Sequence, residues 1–268
     1  MSNENSEFNS GWCETNLEDK KSERAKNKNV KSNNQNNEED EDENSNSNNS
    51  VQNIKEVGTM DIPNSDDRIQ IIPIIGQIEG HNISNNQTKS TKYEHIIPQL
   101  IAIERDKKVK GVLVVLNTAG GDVEAGLAIA EMITSLSKPT VSIVIGGGHS
   151  IGVPLATSSD YSFITPSATM IVHPIRMNGF VIGVSQTFDY FRKMQDRIVD
   201  FVVRTSNITD EKFRELMSQT DELLNDIGTI LIGDQAVECG LINEVGGIRQ
   251  ALDKLEELID EEDNKTEE

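Results

Sequence analysis

The sequence predicts an α/β domain of parallel strands, preceded by a disordered tail. Three observations carry this expectation. From about residue 69 onward, apolar runs of strand length alternate with amphipathic stretches of helix length. Two successive units repeat one design (apolar strand, glycine pair, helix start), with 29 residues separating Gly121 from Ser150, a spacing that suggests stacked, related supersecondary units. Residues 1–57, by contrast, hold 15 Asn, 13 acids and 7 bases and almost no sustained apolar run. Such a segment cannot bury enough surface to offset its ordering entropy.

Composition follows the same division. The 268 residues carry a net charge of −20, with 35% hydrophobic and 4% aromatic residues, which is low for a chain globular throughout. Residues 1–57 are read as an acidic, Asn-rich tail, 58–258 as the folded domain and 259–268 as an acidic C-terminal tail. The tail holds the acidic block Glu38 to Glu43 and the only tryptophan, Trp12, its natural anchor were it an interaction arm. The two ends take most of the charge, so the acidity speaks to solubility more than to a site. It argues against generic nucleic-acid binding, because phosphates would be repelled. No stretch approaches the ~20 apolar residues of a membrane helix, and the polar, acidic N-terminus is not expected to be a secretory signal. Cys13 and Cys239 make neither a disulfide framework nor a metal motif. A cytoplasmic protein with no cofactor and no metal is expected.

The elements follow in order. Ile69–Ile78 is an apolar strand, Gly80–Lys92 a polar loop, and Tyr93–Asp106 a helix with Ile96, Ile97, Leu100 and Ile103. Val109–Leu116 is a buried strand, Asn117–Gly121 a turn, and Asp122–Leu136 a helix ended by Pro139. Strand Thr140–Ile145 leads through the turn Gly146–Gly148 into a short helix from Ser150 to about Ser158. Two short strands follow, Tyr161–Thr165 and Thr169–Val172. Ser185–Ser206 is a long helix with Phe188, Phe191, Met194, Ile198, Phe201 and Val202 on one stripe. That stripe either packs on its own core or protrudes toward a neighbouring subunit. Thr209 caps the next helix. A helix at Asp234–Cys239, a strand near Leu241 and an amphipathic helix Ile248–Leu258 complete the chain.

Gly148-His149-Ser150-Ile151-Gly152 matches G-x-S-x-G, with an apolar strand before it and a helix after it. Glycines let such a chain turn sharply and present the serine Oγ at the helix N-terminus. There the Ile151 N–H can receive a developing oxyanion, favoured by the helix dipole. The competing reading is that Ser150 merely caps its helix. A serine nucleophile needs a base, and the chain has four histidines, His81, His95, His149 and His173. His149 adjoins the serine, so its side chain is expected to diverge. His173 ends an apolar strand, where α/β sheets present catalytic groups; the alternative is a hydrogen-bonded histidine at the sheet rim. An α/β-hydrolase runs Ser, acid, His, but no histidine follows His173 and only Asp160 lies between it and Ser150. The order Ser, His, then an acid from the C-terminal third stays open. Gly120-Gly121 lacks the Lys-Ser/Thr of a P-loop. It is read either as a second oxyanion donor with room for an extended peptide, or as a plain tight turn.

With these motifs in this order, the sequence resembles the proteolytic subunit of the Clp protease, a serine peptidase family of the crotonase-like superfamily, over about residues 65–255. The family's Ser-Pro-Gly-Gly matches Thr118 to Gly121, its Ala-Ser-Met-Gly matches His149 to Gly152, and its Met-Ile-His-Gln matches Ile171 to Pro174. Its Glu-Ala-Val-Glu-Tyr-Gly-Leu-Val-Asp matches Gln235 to Asn243. The resemblance implies stacked strand-turn-helix units with a protruding handle helix at Ser185–Ser206. It implies Ser150 as nucleophile, His173 as base, and the Gly121 and Ile151 N–H groups as oxyanion hole. It further implies polypeptide substrates, a homo-oligomeric ring or double ring with the sites inside, and an AAA+ ATPase partner. For the triad acid, a direct match falls on Gly228; Asp226, two residues away, is favoured over Asp221, seven away. The expected function is a serine endopeptidase acting on cytoplasmic proteins. Its rivals are a crotonase-type acyl-CoA enzyme, a Ser–Lys signal-peptide-peptidase-like enzyme, and a non-catalytic ring subunit or scaffold.

Overall fold

The computed structural model describes residues 68–81, 88–176, 183–220 and 227–267. The N-terminal tail with Trp12 and Cys13, and both candidate acids Asp221 and Asp226, lie outside the described residues.

The first three long strands explain the architecture. β1 (Ile69–Glu79), β3 (Gly111–Gly121) and β4 (Thr140–Gly148) are rich in Val, Ile and Leu and run parallel, as strands covered on both faces do. Along β3 the side chains alternate. Val112, Val114 and Leu116 enter the larger core with Ile72, Ile74, Ile129 and Ile133. Leu113 points the other way, to Val141, Ile143, Phe163, Leu255 and Ile259. The sheet is completed by β2 (Ser90–Lys92), β5 (Tyr161–Ile164) and β8 (Glu244–Val245), in the order β2-β1-β3-β4-β5-β8. At the C-terminal end of β4, Gly147 pairs in parallel with Thr169 of β6 (Thr169–Val172), and β6 pairs antiparallel with β7 (Thr229–Ile232). This small side sheet carries the chain past the glycine motifs.

Helices α1 (Tyr93–Arg105), α2 (Val123–Thr134), α3 (Gly152–Thr157), α4 (Val184–Thr205) and α5 (Asp210–Ser218) contribute to the larger core. The short α6 (Asp234–Glu238) adds Ala236. The Thr209 cap is present, its hydroxyl oxygen accepting from Lys212 N at 3.2 Å. The stripe of α4 divides: Met194, Ile198, Phe201 and Val202 are buried, but Val184 and Phe188 are 79% and 66% exposed. The first turns of this helix therefore do not rest on their own core.

Four boundaries differ from the sequence reading. β3 does not stop at Leu116, and β4 does not stop at Ile145. Both continue as strand through their glycines, because partners accompany them: Gln77 pairs with Gly120, Ile78 with Gly121, and Thr118 with Gly148. The last strand is Glu244–Val245 rather than a strand near Leu241, which is buried in the preceding loop. Finally, α7 runs Ile248–Glu267 instead of ending at Leu258. Its buried series Ala251, Leu255, Ile259 steps by four residues, and Ile259 lies so close to Gly111 that a Cβ there would be 2.7 Å from its Cδ1. Ile259→Ala is expected to lower stability by about 2–5 kcal/mol, read from the denaturant midpoint; an unchanged midpoint would mean that this end of α7 does not hold the sheet.

Candidate active site

Three chain segments converge. The C-terminal end of β3 supplies Gly120 and Gly121, the β4–α3 junction supplies His149, Ser150 and Ile151, and the end of β6 supplies His173. Backbone bonds stitch them together. His149 N–H donates to Thr118 O at 3.1 Å, tying the Ser150 turn to β3. Ser150 N–H donates to Ile171 O at 2.8 Å, tying it to the strand that ends at His173. Thr118 uses its hydroxyl twice, donating to Gly76 O at 2.6 Å and accepting from Gly120 N at 3.0 Å.

The turn itself is built differently from the sequence expectation. Neither Gly148 nor Gly152 takes a left-handed backbone; Ser150 does, at φ 57°, the sole non-glycine residue with positive φ among those described. A left-handed serine is uncommon and costs conformational energy unless its surroundings hold it. Here its N–H is held by Ile171, and its carbonyl accepts from Val153 N at 3.0 Å. The flanking glycines supply room instead: a Cβ on Gly152 would lie 2.8 Å from Thr118 Cγ2, and one on Gly148 3.2 Å from Val144 Cγ1. Gly120 faces Ser150 directly, since a Cβ there would lie 2.7 Å from the serine Cβ and 3.3 Å from its Oγ. Among the described residues, the Ile151 N–H has no hydrogen-bond acceptor. The Ile151 side chain is buried against Gly126.

His173 is half-buried, with Nδ1 2.7 Å from Pro174 O. A carbonyl oxygen can only accept, so this contact places the proton on Nδ1 and makes Nε2 the acceptor nitrogen of the neutral ring. The position matched to the family acid presents only backbone to His173. At Gly228, φ is 137°, and an added Cβ would run into Val172 O and lie 2.8 Å from His173 Cβ.

The His149 ring is held by β6. Its Nε2 lies 2.8 Å from Thr169 Oγ1 on β6. Burial, and then the neighbouring charge of His173, hold its pKa below the ordinary imidazole value. The sequence signal was a histidine at a position where the family carries alanine, but adjacency to the serine argued against it. The remaining histidines stand apart, with His81 Nδ1 3.3 Å from the Tyr93 hydroxyl and His95 in the first turn of α1. Among the described residues no group of three His, Cys, Asp or Glu could hold a metal, and no helix is long and apolar enough to cross a membrane.

Residues 74–249 match the Clp protease family model. The translocation-enhancing protein TepA of Halalkalibacterium halodurans is 55% identical over 213 residues, which cover 79% of this chain and 83% of that protein. The ATP-dependent Clp protease proteolytic subunit of Streptococcus sanguinis is 25% identical over 181 residues, covering 66% and 84% respectively. That of Streptococcus uberis is 31% identical over 120 residues, covering 44% and 56%.

Proposed function

Since the chain belongs to the Clp protease family, in the branch of the translocation-enhancing protein TepA, we propose that it is a serine endopeptidase with Ser150 as nucleophile and His173 as base. One observation carries the proposal: Ser150, held in a left-handed backbone, is bonded through its own N–H to Ile171, two residues before His173. In the proposed cycle, His173 Nε2 takes the proton from Ser150 Oγ as the oxygen attacks the scissile carbonyl. The N–H groups of Gly121 and Ile151 receive the oxyanion, each contributing roughly 2.7–4 kcal/mol to lowering the barrier. The imidazolium then protonates the leaving amine, and water enters by the reverse steps to release the acyl group.

Asp226 is the proposed acid. Pro174 O already holds the Nδ1 proton, so the carboxylate's task is to offset the imidazolium charge rather than to select the tautomer. Its chain position suits that task, because it precedes by two residues the glycine that lies against His173. The substrates proposed are cytoplasmic polypeptides, bound extended beside the Gly120-Gly121 end of β3. A peptidase domain from residue 58 that includes the whole of α7, preceded by an acidic tail at 1–57, would assemble as a homo-oligomeric ring or double ring served by an AAA+ ATPase. The exposed Val184 and Phe188, and the names of relatives described as ATP-dependent proteolytic subunits, support that assembly.

A second reading has one observation in its favour: glycine stands at the family's acid position, as it would in a ring subunit without activity. A fluorophosphonate serine probe separates the two. Labelling of wild type and none of Ser150→Ala is expected; equal labelling of both, or of neither, would favour the non-catalytic subunit.

A further inference from the structure

We propose that His149 is a positioning residue whose imidazole, bonded to the Thr169 hydroxyl, locks the nucleophile turn to the strand carrying His173. The inference rests on the proposed roles of Ser150 and His173. Residues 169, 171 and 173 alternate along one strand and share a face. Each of the first two is gripped by the nucleophile turn: Thr169 Oγ1 lies 2.8 Å from His149 Nε2, and Ile171 O accepts from Ser150 N at 2.8 Å. The backbone pair Gly147–Thr169 makes a third link. Gly147 is shaped to this ring, since a Cβ there would lie 3.1 Å from His149 Cε1 and 3.2 Å from Nε2. Two consecutive residues, one through its side chain and the other through its backbone, therefore fix the serine against the base's strand. The strained φ of Ser150 needs such fixing. The proximity is also electrical, because the His173 charge bears on His149.

Misplacing a reacting group by about 1 Å costs on the order of 100-fold. Thr169→Val and His149→Ala should each slow fluorophosphonate labelling of the full chain about 10- to 100-fold. The two losses should not add in the double variant. His149→Gln, whose amide reaches where Nε2 does, should label near the wild-type rate, which a merely space-filling role would not require. With a peptide substrate the loss should fall on kcat and leave KM unchanged. Thr169→Val retains the imidazole and removes only its hydroxyl partner, and circular dichroism and Tm show that each variant is folded. A wild type that the probe never labels overturns the peptidase reading together with this inference. A labelled wild type matched in rate by folded His149→Ala and Thr169→Val overturns this inference alone, as do losses that add.

Discussion

Replacing His173 by alanine is expected to lower kcat on a peptide substrate by about 10⁶-fold, and adding Ser150→Ala should lower it no further. The two residues act as one unit: without a base the hydroxyl is a weak nucleophile, and without the hydroxyl the base has no proton to take. What survives should be the contribution of the oxyanion donors and of substrate positioning, roughly 10³–10⁴ over water. The acid should behave differently. Where an Asn substitution lets the imidazole adopt the wrong tautomer, the loss is about 10⁴-fold. Here Pro174 O holds the Nδ1 proton whatever the carboxylate does, so Asp226→Asn should cost less than that. Steady-state kinetics of the four variants check the ordering. If Asp221→Asn loses more than Asp226→Asn, the acid is Asp221; if neither loses activity, Ser150 and His173 work as a dyad with Pro174 O as the orienting group. A His173→Ala variant with near-normal kcat would remove the base from the mechanism altogether.

The sequence exposed features that depend on neighbours along the chain and hid those that depend on neighbours across it. Alternating apolar strands, the Thr209 cap and the span of α4 are local properties, written in periodicity and in hydroxyl chemistry; the cap is where it is expected and α4 lies within a residue of its expected span. The glycine segments illustrate the other kind. Read alone, Asn117–Gly121 and Gly146–Gly148 are turns, because glycine has little intrinsic preference for strands. They become strand because β1, β3 and β6 offer backbone partners at that height. G-x-S-x-G marks Ser150 as a candidate, but not its left-handed backbone, since nothing in the side chain announces that the serine, rather than its glycines, carries the turn. For His149, a one-dimensional argument from adjacency to Ser150 says nothing of Thr169, the cross-chain partner that holds its ring. For the acid, the glycine at 228 is physically enforced: any side chain there would collide with Val172 O and crowd His173, so the negative charge proposed for this site must come from elsewhere in the chain.

Gly121→Ala is expected to cost about 3 kcal/mol or more in stability and, in whatever fraction folds, 10²–10³-fold in kcat. Two independent terms set the stability loss. At φ 153° the residue occupies a conformation that L side chains rarely adopt, and the added methyl would collide with Ile78 O, the backbone partner of this strand position. Relief requires β1 and β3 to part there, so a hydrogen bond of about 1 kcal/mol is lost on top of strain of about 1–3 kcal/mol. The catalytic loss follows from the same movement, because the proposed role of the Gly121 N–H requires the strand to hold it next to Gly120, which faces Ser150. Gly148→Ala is the control that isolates this reasoning. Its φ is not left-handed, and its Cβ would meet Val144 Cγ1 at 3.2 Å and Met170 Cγ at 3.5 Å, contacts that side chains can relax for about 1 kcal/mol. Urea unfolding midpoints and probe-labelling rates of the two variants should therefore rank Gly121→Ala far below Gly148→Ala. Equal stability would show that the end of β3 is loosely held, and the Gly121 N–H would then have no fixed place in an oxyanion hole.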